Sequence, residues 1–157
     1  MSRKHSFSAA VVLGMHDALV SLTGTIAGLT FAFTDRQPII ISAIIASIAA
    51  GLSMSASCYL AEKTAENPYA LQMGAITGTS YITTSALLIL PFYAITNTHH
   101  ALVASFIVAI LIIAGCNFFI CRAHGRPFWR HAAEMLIICT CVSVASFIIG
   151  QIAERFI

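Results

Sequence analysis

The sequence predicts an all-α integral membrane protein of five transmembrane helices, with the N-terminus cytoplasmic and the C-terminus outside. Three observations predict it. The chain has 157 residues, of which 59% are hydrophobic and only 9% charged, with a mean hydropathy of +0.90. Soluble domains carry about 25% charged residues, so these side chains cannot cover a solvated surface. Next, five apolar runs reach the roughly 20 residues that a spanning helix needs: Phe7–Phe33, Ile39–Leu60, Ala70–Ile95, Ala101–Cys121 and Ala132–Ile152. The breaks between them, TDRQP, AEKTAENPY, TNTHH and RAHGRPFWRH, are short and polar. Last, with the N-terminus inside, Arg3, Lys4, Lys63, Arg122, Arg126 and Arg130 face the cytoplasm, leaving only Arg36 and Arg155 outside. That asymmetry follows the positive-inside rule. The net charge of +2 is uninformative, and no nucleic-acid partner is expected; the partners are the lipid bilayer and, below, a second copy of the chain.

Each run has its own content. The first follows Arg3 and Lys4, as a secretory leader would, but it is too long, holds Asp17 and lacks a clear small-residue cleavage site, so it reads as a spanning helix. It contains GTIAG, Gly24 to Gly28, and the third run contains GAITG, Gly74 to Gly78; small residues at this spacing let helix backbones approach closely. The second run carries Met54, Cys58 and Glu62 at i, i+4, i+8, on one helix face. The fourth follows His99 and His100, read as solvated residues closing an outer loop. The fifth begins near Glu134, after His131; a carboxylate there is favoured by the helix dipole. His124, Trp129 and His131 are interfacial rings. The cysteines Cys58, Cys116, Cys121, Cys139 and Cys141 form no CxxC and lie in or beside apolar runs, where free Cys usually packs. A disulfide framework is not expected.

Asp17 is the anomaly. It follows His16 inside the first run, and an ionisable group at the bilayer centre costs about 2.5–3.5 kcal/mol on insertion scales. It needs a partner, a proton or a cation. No Lys lies in any membrane core, which removes an internal ammonium and also excludes a retinal Schiff base. One reading makes Asp17 structural, protonated and bonded to Ser21 one turn away. The other makes it functional. Asp17 lies about 15 Å along the first run at about 1.5 Å per residue, and the antiparallel second run brings Met54 and Cys58 to a similar level. A carboxylate facing a thioether and a thiol suits a borderline or soft divalent cation better than Mg²⁺ or Ca²⁺. The candidate ligands are therefore Asp17, Met54 and Cys58, with His16, Glu62 and Glu134 as further candidates.

The segment His16-Asp17-Ala18-Leu19-Val20-Ser21, followed by Ala27-Gly28, resembles the vacuolar iron transporter family, whose first span carries D-G-L-V-S and a later A-G. The likeness continues at Ala50-Gly51-Leu52-Ser53-Met54, with Tyr59-Leu60 and Lys63, and at Asn67-Pro68, Leu90-Pro91-Phe92, Gly125-Arg126-Pro127 and Glu134-Met135-Leu136. The resemblance implies a homodimeric exporter in the membrane, moving Fe²⁺ or Mn²⁺ out of the cytosol in exchange for protons. The metal is substrate, and no cofactor is bound permanently. It also implies a pathway between protomers lined by Asp17 and Met54, and the dimer is expected to pack through Gly24 and Gly28 of the first span. The expected location is a bacterial inner membrane. Three departures from the family pattern stand out. His16 and Ala18 replace Asn and Gly. Cys58 replaces a Glu. The connection between the second and third spans is only about nine residues, with Glu62 and Glu66 as its acids, where iron-transporting members carry a long Glu-rich insertion.

The alternatives are a same-fold transporter of another cation, or a non-transporting membrane scaffold. An enzyme is not expected, since H-E-x-x-H and G-x-S-x-G are both missing from the sequence.

Overall fold

The computed structural model describes residues 3–124 and, beyond them, residues 133, 137, 138, 140–142, 144, 145, 148, 149 and 152, all of these last being helical. No strand occurs among the described residues. Four helices are continuous: α1 (Arg3–Ala32), α2 (Arg36–Thr64), α3 (Ala70–Ala94) and α4 (Thr98–His124). Four segments, Phe7–Ala32, Arg36–Thr64, Ala70–Ala94 and Thr98–Cys116, are long and apolar enough to cross a membrane. Glu134, Trp129 and His131 lie outside the described residues, as does much of the predicted fifth span.

Helix is the local answer because lipid offers no partner to a free backbone N–H or C=O, and a helix satisfies both within itself. Two helix starts have a polar residue at the cap, and only Asn97 caps through its side chain. Asp35 is the N-cap of α2, with extended backbone (φ −88°, ψ 137°), and Pro38 falls in the first turn, where its missing N–H costs nothing. Asn97 caps α4: its Oδ1 accepts from the backbone N–H of His99 at 3.0 Å and of His100 at 3.3 Å. That cap corrects the expectation for these two residues. They occupy the first turn of a helix rather than a loop, and both are exposed.

The α2–α3 connection is a tight turn. The N–H of Asn67 reaches the Glu62 carbonyl at 3.0 Å and that of Glu66 the Lys63 carbonyl at 3.1 Å, the paired pattern of a Schellman ending. The residue in the left-handed conformation is Glu66, at φ 56°. A glycine is usual there; a side chain with a Cβ is strained.

α3 is the central helix. It buries eleven residues, against four on α2. The α2 set, Ile39, Ala43, Ser47 and Gly51, is one line at spacing four; Ile41, Ile45, Ile48 and Leu52 on its other sides are exposed. One apolar cluster joins Leu19, Leu22 and Ile26 of α1 to Leu88, Ile89 and Phe92 of α3, with Ala101 and Ala109 of α4. Because lipid is as apolar as leucine, such clusters owe less to water exclusion than to close packing. Two crossings show the close approach. A Cβ on Gly14 would collide with the Thr77 carbonyl of α3, and one on Gly78 would come within 2.9 Å of the Gly51 carbonyl of α2. The GAITG pair therefore serves the α2–α3 contact within one chain.

Candidate functional site

The two glycine crossings place one turn of α3, Thr77 to Tyr81, between α1 and α2. Gly14 of α1 lies against the Thr77 carbonyl and the Tyr81 backbone nitrogen. On the other side, Gly51 of α2 lies against Ile82 and the Tyr81 ring, where an added Cβ would come within 3.4 Å of Tyr81 Cδ1. A second tie fixes the α1 side: the Ser80 hydroxyl donates to the Val11 carbonyl at 2.8 Å. This turn is where the two motif-bearing helices meet a common neighbour.

Asp17 sits at the midpoint of α1, fourteen residues from Arg3 and fifteen from Ala32. Its neighbours Ala18 and Leu19 are fully buried, yet Asp17 itself is exposed on the opposite side of the helix. The exposed line runs at spacing four through Leu13, Asp17, the half-buried Ser21, and Thr25. The hydroxyls in it satisfy themselves. Ser21 Oγ donates to the Asp17 carbonyl at 2.7 Å, and Thr25 Oγ1 to the Ser21 carbonyl at 2.8 Å. Serine and threonine commonly bond back to the preceding turn in this way. Ser21 thus addresses the main chain of Asp17 and not its carboxylate, which corrects the structural reading drawn from the sequence. Among the described residues, none forms an ion pair with Asp17.

The other candidates are spread along α2. Met54 is half-buried. Cys58 is half-buried and faces α3, where Thr77 Oγ1 lies 3.3 Å from its sulfur and 2.9 Å from the Met73 carbonyl. Cys58 therefore lies beside the Thr77 end of that turn of α3. Glu62 is engaged elsewhere. Its Oε2 accepts from the Asn67 amide at 2.5 Å, within the α2–α3 turn. His16 is half-buried on α1, beside Met15, whose sulfur lies 2.8 Å from Cys116 of α4. Glu134 lies outside the described residues. Among the described residues, no three His, Cys, Asp or Glu side chains come together as a ready cation site.

Sequence reasoning missed Thr77 and Tyr81. Tyr81 is 2% exposed and its hydroxyl lies 2.8 Å from Ser21 Oγ. The available signal was the run of hydroxyl residues at Thr77, Ser80, Tyr81, Thr84 and Ser85 inside an otherwise apolar span. At the end of α1 away from its N-terminus, a cavity of about 470 Å³ is lined by Thr30, Thr34, Asn97 and His99 with Phe31 and Phe33.

Gly24, expected at a subunit contact, is buried within the single chain, and Gly28 is half-buried. The exposed line through Asp17 is the polar face that α1 leaves open.

Residues 8–70, which span α2 and nearly all of α1, match the model of the VIT family. Over α1 and α2 the chain is therefore similar to the vacuolar iron transporter family. No curated protein matches the chain.

Proposed function

We propose, from this likeness to the vacuolar iron transporter family over residues 8–70, that the chain belongs to that family and exports a divalent transition metal, Fe²⁺ or Mn²⁺, from the cytosol by exchange for protons. One observation supports the reading above others: the exposed Asp17 at the midpoint of a helix built for a membrane. A bare carboxylate facing lipid there is costly by about 2.5–3.5 kcal/mol. A second protomer covering that face removes it from lipid, so the working unit is a homodimer joined along the Asp17 line of α1 rather than through Gly24. Between the protomers, two Asp17 carboxylates meet the substrate, with Met54 supplying a thioether and Cys58 a thiol from α2.

Coupling follows from one set of oxygens serving two ligands. A proton and a metal ion compete for Asp17, and each leaves as the other arrives. The carboxylate is then seldom bare, and metal binding weakens as pH falls. Orientation rests on the basic residues: the N-terminus and the Lys63 end of α2 are cytoplasmic, and the chain crosses five times in a bacterial inner membrane. Lys63 supports this placement, with its ammonium 5.5 Å from the Tyr59 ring centre, an arrangement suited to a headgroup boundary.

A second reading keeps the fold and changes the cargo. Cys58 stands where the family carries Glu, and a thiol in place of a carboxylate favours a softer ion. Cys58→Glu is expected to move preference toward Mn²⁺.

The test is metal flux into proteoliposomes at several pH values for the native protein and Asp17→Asn. Asn keeps shape and polarity and loses the titratable charge, so coupled flux should vanish while the protein stays folded. Equal flux with unchanged pH dependence would remove Asp17 from the mechanism and the exporter reading with it.

A further inference from the structure

We propose that Tyr81 of α3 is a positioning residue for the Asp17 site, acting through Ser21; the inference rests on the reading of Asp17 given above. The argument is one of counting protons. A serine hydroxyl has one proton and two lone pairs. Ser21 Oγ spends that proton on the Asp17 carbonyl, at 2.7 Å. In its 2.8 Å contact with Tyr81 it must therefore accept, and the phenol donates. The chain runs in one direction, from Tyr81 Oη to Ser21 Oγ to the main chain of Asp17.

Three further features give this chain its purpose. Tyr81 is 2% exposed, so its ring has no room to swing. Its backbone is held by Gly14 and its ring by Gly51, so the phenol is referenced to α1 and α2 at once. Its hydroxyl also reaches, through Ser21, the turn of α1 that Asp17 opens. A rigid phenol thus pins the turn of α1 that carries Asp17, on the buried side of a residue whose carboxylate points away from the bundle. A binding site keeps its affinity when supporting groups hold the ligand side chain in place. Asp17, exposed and without an ion pair among the described residues, has little else to hold it.

Four variants in proteoliposomes test this, with Mn²⁺ as the probe and Asp17→Asn as the control. Tyr81→Phe keeps the ring and removes the donor. It should raise the half-saturating Mn²⁺ concentration between about 2-fold and 10-fold, the range of one net hydrogen bond, with maximal flux and the melting temperature unchanged. Ser21→Ala should do the same, and Ser21→Thr, which keeps a hydroxyl, should behave as native. The Tyr81→Phe/Ser21→Ala double variant should be no worse than either single one, because both break one chain. Additive losses, or native half-saturation in Tyr81→Phe while Asp17→Asn is inactive, would overturn the role of Tyr81 and leave the exporter reading standing. If Asp17→Asn carries Mn²⁺ as the native protein does, the exporter reading itself fails. Should Tyr81→Phe misfold, the contrast between Ser21→Ala and Ser21→Thr decides, since equal half-saturation in the two removes the hydroxyl from the argument.

Discussion

α1 and α2 each contain one acid, Asp17 and Glu62, and the two are settled in opposite ways. Glu62 lies within the last turn of its helix. It accepts from Asn67, whose own Oδ1 takes the N–H of Tyr69 at 3.0 Å. These bonds close the turn on itself and make a short connection between α2 and α3. Asp17 lies at a helix centre, on the outward face, with its backbone secured and its carboxylate open. The difference separates two uses of a charged residue. One ends a helix. The other, on the function proposed above, is held for a ligand from outside the chain, and its cost in an apolar setting is the reason to look for that ligand.

Three changes would break or sharpen this contrast. The largest effect is expected where α1 meets α3. Gly14→Leu drives a side chain into the Thr77 carbonyl, which is backbone and cannot rotate aside. Overpacking costs about 1–3 kcal/mol where side chains can yield, and here it should exceed that range. A thermal melt in detergent should show a fall of many degrees, and flux should be lost with the fold. A native melt for this variant would mean that α1 does not approach α3 as described.

A smaller effect tests the comparison directly. Glu62→Ala removes an acceptor from the α2–α3 turn and leaves the Asn67 amide without it, a loss of about 1 kcal/mol for a half-exposed bond. Asp17→Asn, by contrast, should leave the melt within about 0.5 kcal/mol of native. The expected pattern is a stability loss at Glu62 with flux retained, and a flux loss at Asp17 with stability retained. The reverse pattern would exchange the roles assigned to the two acids.

The smallest change is a gain. Glu66 holds a left-handed conformation at φ 56°, strained by about 1–2 kcal/mol for a residue with a Cβ. Glycine relieves that strain but adds freedom to the unfolded chain, worth about 0.4–1 kcal/mol against it. Glu66→Gly should therefore raise stability by roughly 0.5–1 kcal/mol, read as a small rise in melting temperature. A fall would show that the Glu66 side chain has a compensating role in the turn.

Much was legible in the sequence. Apolar runs long enough to span a bilayer gave α1 to α4 to within a few residues, because in lipid the length of an apolar helix is set by bilayer thickness. The runs erred at their ends. Helix α2 starts at Arg36 and α4 at Thr98, before their apolar stretches begin, because Asp35 and Asn97 occupy the cap positions and polar first turns follow. Asp17 was visible as a candidate by its residue type and place alone, since an acid amid apolar neighbours is improbable without a function.

Packing decided the rest. Two glycine pairs of the same spacing, Gly24/Gly28 and Gly74/Gly78, are indistinguishable as patterns, yet Gly74 and Gly78 meet Ser55 of α2 while Gly24 is covered inside the chain. Nor does spacing say which face of α1 is turned inward. The apolar side chains could be buried or lipid-facing at equal gain, because hydrocarbon and protein interior are similar solvents for them. The fit of Gly14 against Thr77 and the Ser80–Val11 bond fix the rotation that leaves Asp17 outward and brings Tyr81 to Ser21. Those contacts join residues 60 or more positions apart, and no local pattern records such a distance. The sequence alone determined that the chain is helical and apolar enough for a membrane, and that one of its acids is out of place there. The tertiary structure decided where that acid faces, since that depends on shape at the helix crossings rather than on hydrophobicity along the chain.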